Sequence, residues 1–239
     1  MSSHSTTTTP IAPAKFEDAR ANVRVAFLGR VDGLSSQPST ETAARRALDL
    51  LGVGVDGASD VASPSINRQV HSTRIIAAED APAQADGLIE RGRTARPALT
   101  VFTADCVPVL LGSAGGPIAA LHAGWRGLAG GIIGKGVAEF SEPARATAWI
   151  GPAIGACCYE VNDEVALAVA QCCDASVIRP GRAARPHLDL ERAARLQLEV
   201  AGVRDIRVIR CCTHCDVDWH SYRREGPGQG RNHAFIWRD

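Results

Sequence analysis

The 239-residue chain carries 26 Lys plus Arg against 26 Asp plus Glu, a neutral balance that argues against nucleic acid, which is held mainly by phosphate neutralisation. No run approaches the roughly 20 apolar residues that span a bilayer, and MSSHSTTTTPIAPAKFEDAR lacks both the basic opening and the apolar centre of an export signal. The 8 cysteines are too few for a disulfide scaffold of this length, so the expected setting is cytoplasmic and reducing, with no membrane partner.

Residues 1–21 are rich in Ser, Thr and Pro, and the expectation there is a disordered tail before a folded domain over 22–239. NVRVAFL reads as a strand, and ETAARRALDLLG as a helix ended by Gly52. Strand-like runs recur at QVHSTRII, ALTVFT, CVPVLLG, PIAALHA, ATAWIG, IRVIRCC and HAFIW. Between them, Trp125 to Phe140 carries a helical apolar face despite five glycines, each of which costs about 1 kcal/mol relative to Ala. NDEVALAVAQCC and DLERAARLQLEVAG complete the predicted helices. Some strands are joined by short turns and others by helices, so the expected fold is α+β, a single domain with mixed β-sheets layered with helices.

Chemistry concentrates in TADCVPVLL and PIAALHAGWRG. Cys106 opens one apolar strand and His122 closes the next, which places a thiol and an imidazole at one end of a sheet. These are side chains that zinc prefers, and a catalytic zinc has three protein ligands with a fourth position open. His71, within QVHSTRII, is the candidate third ligand. Spacing alone leaves the alternative that Cys106 is an ordinary buried cysteine, or a metal-free nucleophile with a histidine base.

TADC, LHAGWRGLAGGII, WIGPAIGACCYEV, CTHC and SYRR, with QVHST before them, resemble in order and content the motifs of the YfiH family, also named for polyphenol oxidase or laccase-domain activity. The resemblance runs from about Gln69 to the C-terminus. It implies an α+β enzyme of mixed sheets and helices that binds Zn2+ through His71, Cys106 and His122, the catalytic and metal residues. The implied reaction is phosphate-dependent cleavage of adenosine, inosine, guanosine and methylthioadenosine, together with deamination of adenosine. Purine nucleosides and phosphate are then the partners. Two alternatives stand beside it, copper-dependent polyphenol oxidation and a non-enzymatic role in cell-wall quality control. Cu2+ ranks below Zn2+ because multicopper chemistry needs many imidazoles, and the chain has 7 His.

Phosphate suits arginines and close backbone approach. Arg126 follows Gly124, and Arg223, Arg224 and Arg231 lie in the Gly-rich SYRREGPGQGR; adjacent residues diverge, so one of Arg223 and Arg224 should face the site. The substrate- and phosphate-binding candidates are Arg30, Asp105 and Arg223. On a regular strand Asp105 would point away from Cys106, toward a supporting role. CTHC alone is half a zinc site, and because GPAIG and CTHC belong to the family pattern, the resemblance implies that Cys157, Cys158, Cys211, Cys212 and Cys215 are framework rather than a second metal site. The family's SLNLG and HVGDD segments have no counterpart in FLGRVDGLSSQPSTETAARR, where Arg30 and Gly33 keep parts of the opening pattern.

Overall fold

Strands that are apolar along their whole length must be covered on both faces, and this is how the molecule is built. The computed structural model describes residues 14–18, 22–30, 41–53, 62–92, 97–181, 185–228 and 230–238. In chain order come β1 (Ala14–Asp18), β2 (Val23–Leu28), α1 (Glu41–Leu50), β3 (Ala62–Ser65), β4 (Ile75–Ala77), β5 (Gly87–Glu90), β6 (Pro97–Thr103), β7 (Val107–Gly112) and β8 (Ile118–Ala123). Next are α2 (Trp125–Ala129), α3 (Ile132–Val137), β9 (Thr147–Ile150), α4 (Asp163–Ala170), β10 (Ile178–Arg179) and β11 (His187–Leu188). The chain ends with α5 (Leu190–Val200), β12 (Asp205–Val208), α6 (Tyr222–Glu225) and β13 (Asn232–Arg238).

Two mixed sheets form the centre, one ordered β1-β2-β13-β6-β3 and the other β12-β9-β7-β8-β5-β4, with β10 and β11 as a separate ribbon. Between the sheets Val25, Phe27, Val101 and Ile236 meet Leu88, Leu110, Ala120 and Trp149. The alternate residues of β2 and β13, Ala26, Leu28, Phe235 and Trp237, pack under Ala44, Ala47 and Leu48 of α1. On the far side Val109, Leu111, Leu121 and Ile150 lie under Leu128, Ile133, Val169 and Leu198 of the α2–α5 group. The result is four layers, helix, sheet, sheet and helices, in which the strand period of two sends each residue to one core or the next.

Local chemistry sets the helix ends. Gly52, at φ +71°, follows α1 as predicted. Asn162 caps α4 by accepting the Val165 N–H at 3.0 Å, and Asp189 caps α5 by accepting the Arg192 N–H at 3.0 Å.

Three expectations are corrected. Within the expected tail, Ala14–Asp18 pairs antiparallel with β2, because a strand beside β2 satisfies an otherwise open sheet edge; residues 1–13 lie outside the described residues. The run QVHSTRII is strand only from Ile75, and His71 sits in a left-handed turn at φ +59°. The helix over Trp125 to Phe140 is two helices, broken where Gly131 takes φ +77°. Among the described residues no helix is long and apolar enough to cross a membrane.

Packing between the sheets leaves no room at Gly151, where an added Cβ would stand 2.8 Å from Pro108 and closer still to the Phe27 ring. Gly151→Ala is expected to destabilise the protein by about 1–3 kcal/mol, read as a lower urea midpoint at unchanged m-value.

His233 on β13 is buried, its ring 5.0 Å from Phe102 and 5.9 Å from Phe235. Burial, with nearby His220 adding to it, lowers its pKa to about 4. Between pH ~6.5 and ~4 the unfolded chain therefore binds a proton that the folded chain refuses, so stability falls as pH drops through that window, by about 3 kcal/mol from this residue. Urea titrations at pH 7 and 4.5 should show a smaller acid loss in His233→Leu than in the parent.

Candidate metal centre and cavity

Two loops and the end of β8 converge at one end of the six-stranded sheet, around Cys106. β7 begins one residue after it, and β8 runs antiparallel beside β7 with His122 opposite Pro108. The second loop carries His71, which Gln69 anchors by bonding the backbone of Phe102 in both directions, at 2.7 and 2.8 Å. The ligand atoms of His71, Cys106 and His122 all lie within 4.8 Å of one another. Cys106 Sγ is 3.8 Å from His71 Nε2, and the two imidazoles meet edge to face at 4.9 Å. Gly124 follows β8 because a side chain does not fit there: its Cβ would lie 2.9 Å from Cys106 Sγ and 3.0 Å from His71 Cδ2.

Asp86, just before β5, organises the group. Its carboxylate accepts the N–H groups of Val70, His71 and Ser72 at 3.1, 2.9 and 2.7 Å and the Ser72 hydroxyl at 2.7 Å. It also accepts the His122 Nδ1–H at 2.8 Å. One buried carboxylate therefore shapes the His71 turn and sets the tautomer of His122, which leaves the other ring nitrogen for a metal. Carboxylates behind ligating histidines commonly act this way. Burial alone would raise the Asp86 pKa, but the bonds from His122 and Ser72 hold it well below the usual carboxylate range.

Burial likewise pushes the Cys106 thiol up, yet the charge and hydrogen bond of His122, aided by His71, bring it down to about 6. Burial disfavours the His122 cation, yet the Cys106 charge and the bond to Asp86 raise its pKa to about 9. The sulfur is thereby favoured in its ligating thiolate form, and the His122 Nε2 proton is the one a metal ion would displace on binding. Two imidazoles and one thiolate, held by a hydrogen-bonded carboxylate, fit a metal ion with an open fourth position.

The group lies in a cavity of about 810 Å³ whose lining includes Phe102, Trp125, Arg126, Tyr159 and Arg223. Arg126 lies over the Trp125 ring at 4.4 Å, and Arg223 over the Tyr159 ring at 5.1 Å. Burial and the Cys106 charge raise the Tyr159 pKa to about 12, so its hydroxyl stays protonated at neutral pH.

Of the other predicted residues, Arg223 lines the cavity and donates to the Glu160 carbonyl at 2.9 Å. Arg224 turns inward and donates to the carbonyls of Thr213 and His214 at 2.7 and 2.8 Å, so the pair diverges as expected. Asp105 is buried at φ +86°, outside a regular strand, and its carboxylate accepts the Thr213 hydroxyl at 2.7 Å and the Arg223 N–H at 2.6 Å. Arg30 pairs with Glu225 and is not among the residues lining the cavity. Gly33 and the rest of 31–40 lie outside the described residues. Sequence reasoning missed Asp86, Tyr159 and Thr213. Only Asp86 carries a local signal, an acid between small residues at the head of a buried strand.

Residues 42–239 match the family model described as multi-copper polyphenol oxidoreductase laccase, and the chain belongs to that family. It is 37% identical over 209 residues to the purine nucleoside phosphorylase SCO2081 of Streptomyces coelicolor, covering 82% of each chain. It is 40% identical over 143 residues to the purine nucleoside phosphorylase YfiH of Escherichia coli, covering 57% of this chain and 58% of that one. Among solved structures, Neisseria meningitidis protein NMB0706 superposes with a TM-score of 0.81 at 29% identity, over 95% of this chain and 99% of that one. The resemblance read from the motifs is borne out in both family and fold.

Proposed function

We propose that the protein is a cytoplasmic, zinc-dependent purine nucleoside phosphorylase, acting on adenosine, inosine, guanosine and methylthioadenosine, with adenosine deaminase activity at the same site. The observation that carries this reading is the convergence of His71, Cys106 and His122 in a cavity bounded by aromatic rings and arginines, in a chain whose relatives bear the phosphorylase name. His71, Cys106 and His122 hold the metal. Their two-nitrogen, one-sulfur set suits zinc, whereas multicopper oxidation needs further imidazoles, and among the described residues His187 and His233 are engaged elsewhere. When bound, zinc supplies a Lewis acid with an open position, on which both nucleoside cleavage and deamination draw.

The chain's own groups do the rest. Trp125, Tyr159 and Phe102 offer apolar faces to a purine. Arg126 and Arg223 bring positive charge to phosphate, with guanidinium forks that match its oxygens. Asp105 acts as a positioning residue, holding the Arg223 backbone and Thr213 in place. The protonated Tyr159 hydroxyl stands ready to donate a hydrogen bond to the departing base or to a phosphate oxygen.

Purified protein incubated with inosine should release hypoxanthine and ribose 1-phosphate only when phosphate is present. Equal base release without phosphate would mean hydrolysis, and oxidation of phenols with no nucleoside turnover would restore the copper reading. Adenosine should give inosine with or without phosphate.

A further inference from the structure

We propose that Cys157, Cys158, Cys212 and Cys215 form a second metal centre, a four-thiolate structural zinc site separate from the His71, Cys106 and His122 group. Their sulfurs all lie within 4.8 Å of one another, with Cys158 to Cys215 at 3.3 Å and Cys157 to Cys215 at 3.7 Å. Four sulfurs bound at about 2.3 Å to a tetrahedral zinc stand roughly 3.8 Å apart. Small side-chain rotations therefore suffice to close the set.

The backbone is arranged for it. One tight turn, closed by Cys158 N–H to Gly155 carbonyl at 2.9 Å, presents Cys157 and Cys158. A second, closed by Cys215 N–H to Cys212 carbonyl at 3.1 Å, presents the two ends of CTHC. A parallel bridge between Ala153 and Cys212 sets the turns side by side. The Gly155 N–H donates to Cys212 Sγ at 3.2 Å, the kind of supporting bond that orients metal ligands. The thiols pack directly against this glycine, where an added Cβ would stand 3.2 Å from Cys157 Sγ and 3.4 Å from Cys212 Sγ.

Core packing does not account for the cluster, because Cys157 and Cys215 are exposed. The other cysteines nearby in sequence turn elsewhere. Cys211 bonds Asp216 at 3.3 Å, and Cys172 bonds the Ala129 carbonyl at 2.8 Å. Four thiolates clustered this closely suit a single tetrahedral ion such as zinc, and a closed four-ligand set is structural rather than catalytic. Each thiol that ligates releases its proton to solvent as it binds. The cross-link would tie the turn leading into Tyr159 to the turn carrying Thr213, and both feed the cavity.

The test uses the full chain with the first site disabled by Cys106→Ser and His122→Ala. This variant should retain one zinc per chain after desalting. With cobalt in place of zinc it should show the intense charge-transfer and tetrahedral d–d bands of a four-thiolate set. In the unaltered, zinc-loaded protein, alkylation followed by mass spectrometry should find these four cysteines protected and exposed Cys172 modified; a strong chelator should then open all four. A metal-free double variant, alkylation of the four at the rate of Cys172, or a disulfide among them in protein purified under reducing conditions would each overturn the proposal. None of these readouts depends on nucleoside turnover.

Discussion

Replacing Cys106 with Ser is expected to abolish tight metal binding at the first site and to lower kcat/KM for phosphorolysis on the order of a thousandfold. The physical reason is the loss of the one soft, anionic donor. Cys106 is held as a thiolate near His71 and His122, whereas a serine hydroxyl at the same place stays neutral and leaves two imidazoles alone to hold a divalent ion. A bound metal contributes several kcal/mol of charge stabilisation in the transition state, and about 4 kcal/mol corresponds to roughly three powers of ten in rate. Little stability should be lost, since the substitution removes no large apolar group and Cys106 is only half-buried. A matched urea midpoint in the variant would separate lost chemistry from lost fold.

Asp86→Asn is expected to act on both counts. Asp86 accepts bonds from three backbone N–H groups, one hydroxyl and one imidazole. An amide offers a single acceptor oxygen and turns its NH2 toward groups that also donate. Leaving such buried donors unpaired costs about 3–5 kcal/mol, and removing the carboxylate behind a ligating histidine typically lowers metal affinity about 10–100-fold. The sign with pH follows from the depressed Asp86 pKa. Its contribution is complete above about pH 4, the unfolded carboxyl value, and is lost as pH falls below that. Zinc competition against a chelator, alongside urea melts, measures both effects. Asp86→Asn with parental affinity and stability would show that the turn at His71 holds its shape without the carboxylate.

The ends of β7 and β8 were legible in the sequence because apolar runs bounded by Gly and Pro define strands, and Cys106 and His122 stand at their ends. The capped helices α4 and α5 were legible for similar local reasons. His71 is legible as the candidate third ligand, from its place in an apolar run and from the family motif, but its strand assignment is not: a left-handed turn at a non-glycine residue leaves no mark in hydrophobic periodicity. The break at Gly131 was hidden by a helical apolar pattern that continues across it. Asp86 serves residues 14 to 36 positions away, a relation that only the folding of the His71 turn and β8 against it creates. The same limit explains the paired cysteines. CTHC reads as half a site until the Ala153–Cys212 bridge brings Cys157 and Cys158 beside it.

Phosphate-dependent nucleoside cleavage is expected to depend on the centre formed by His71, Cys106 and His122. Ribose 1-phosphate formation from inosine and phosphate, measured side by side for the parent protein and Cys106→Ser, tests this dependence. The parent should form it and the variant should not, with both folded. Parental rates in the variant would show that the centre is not needed for the reaction, and no ribose 1-phosphate from either protein would show that the protein is not a phosphorylase.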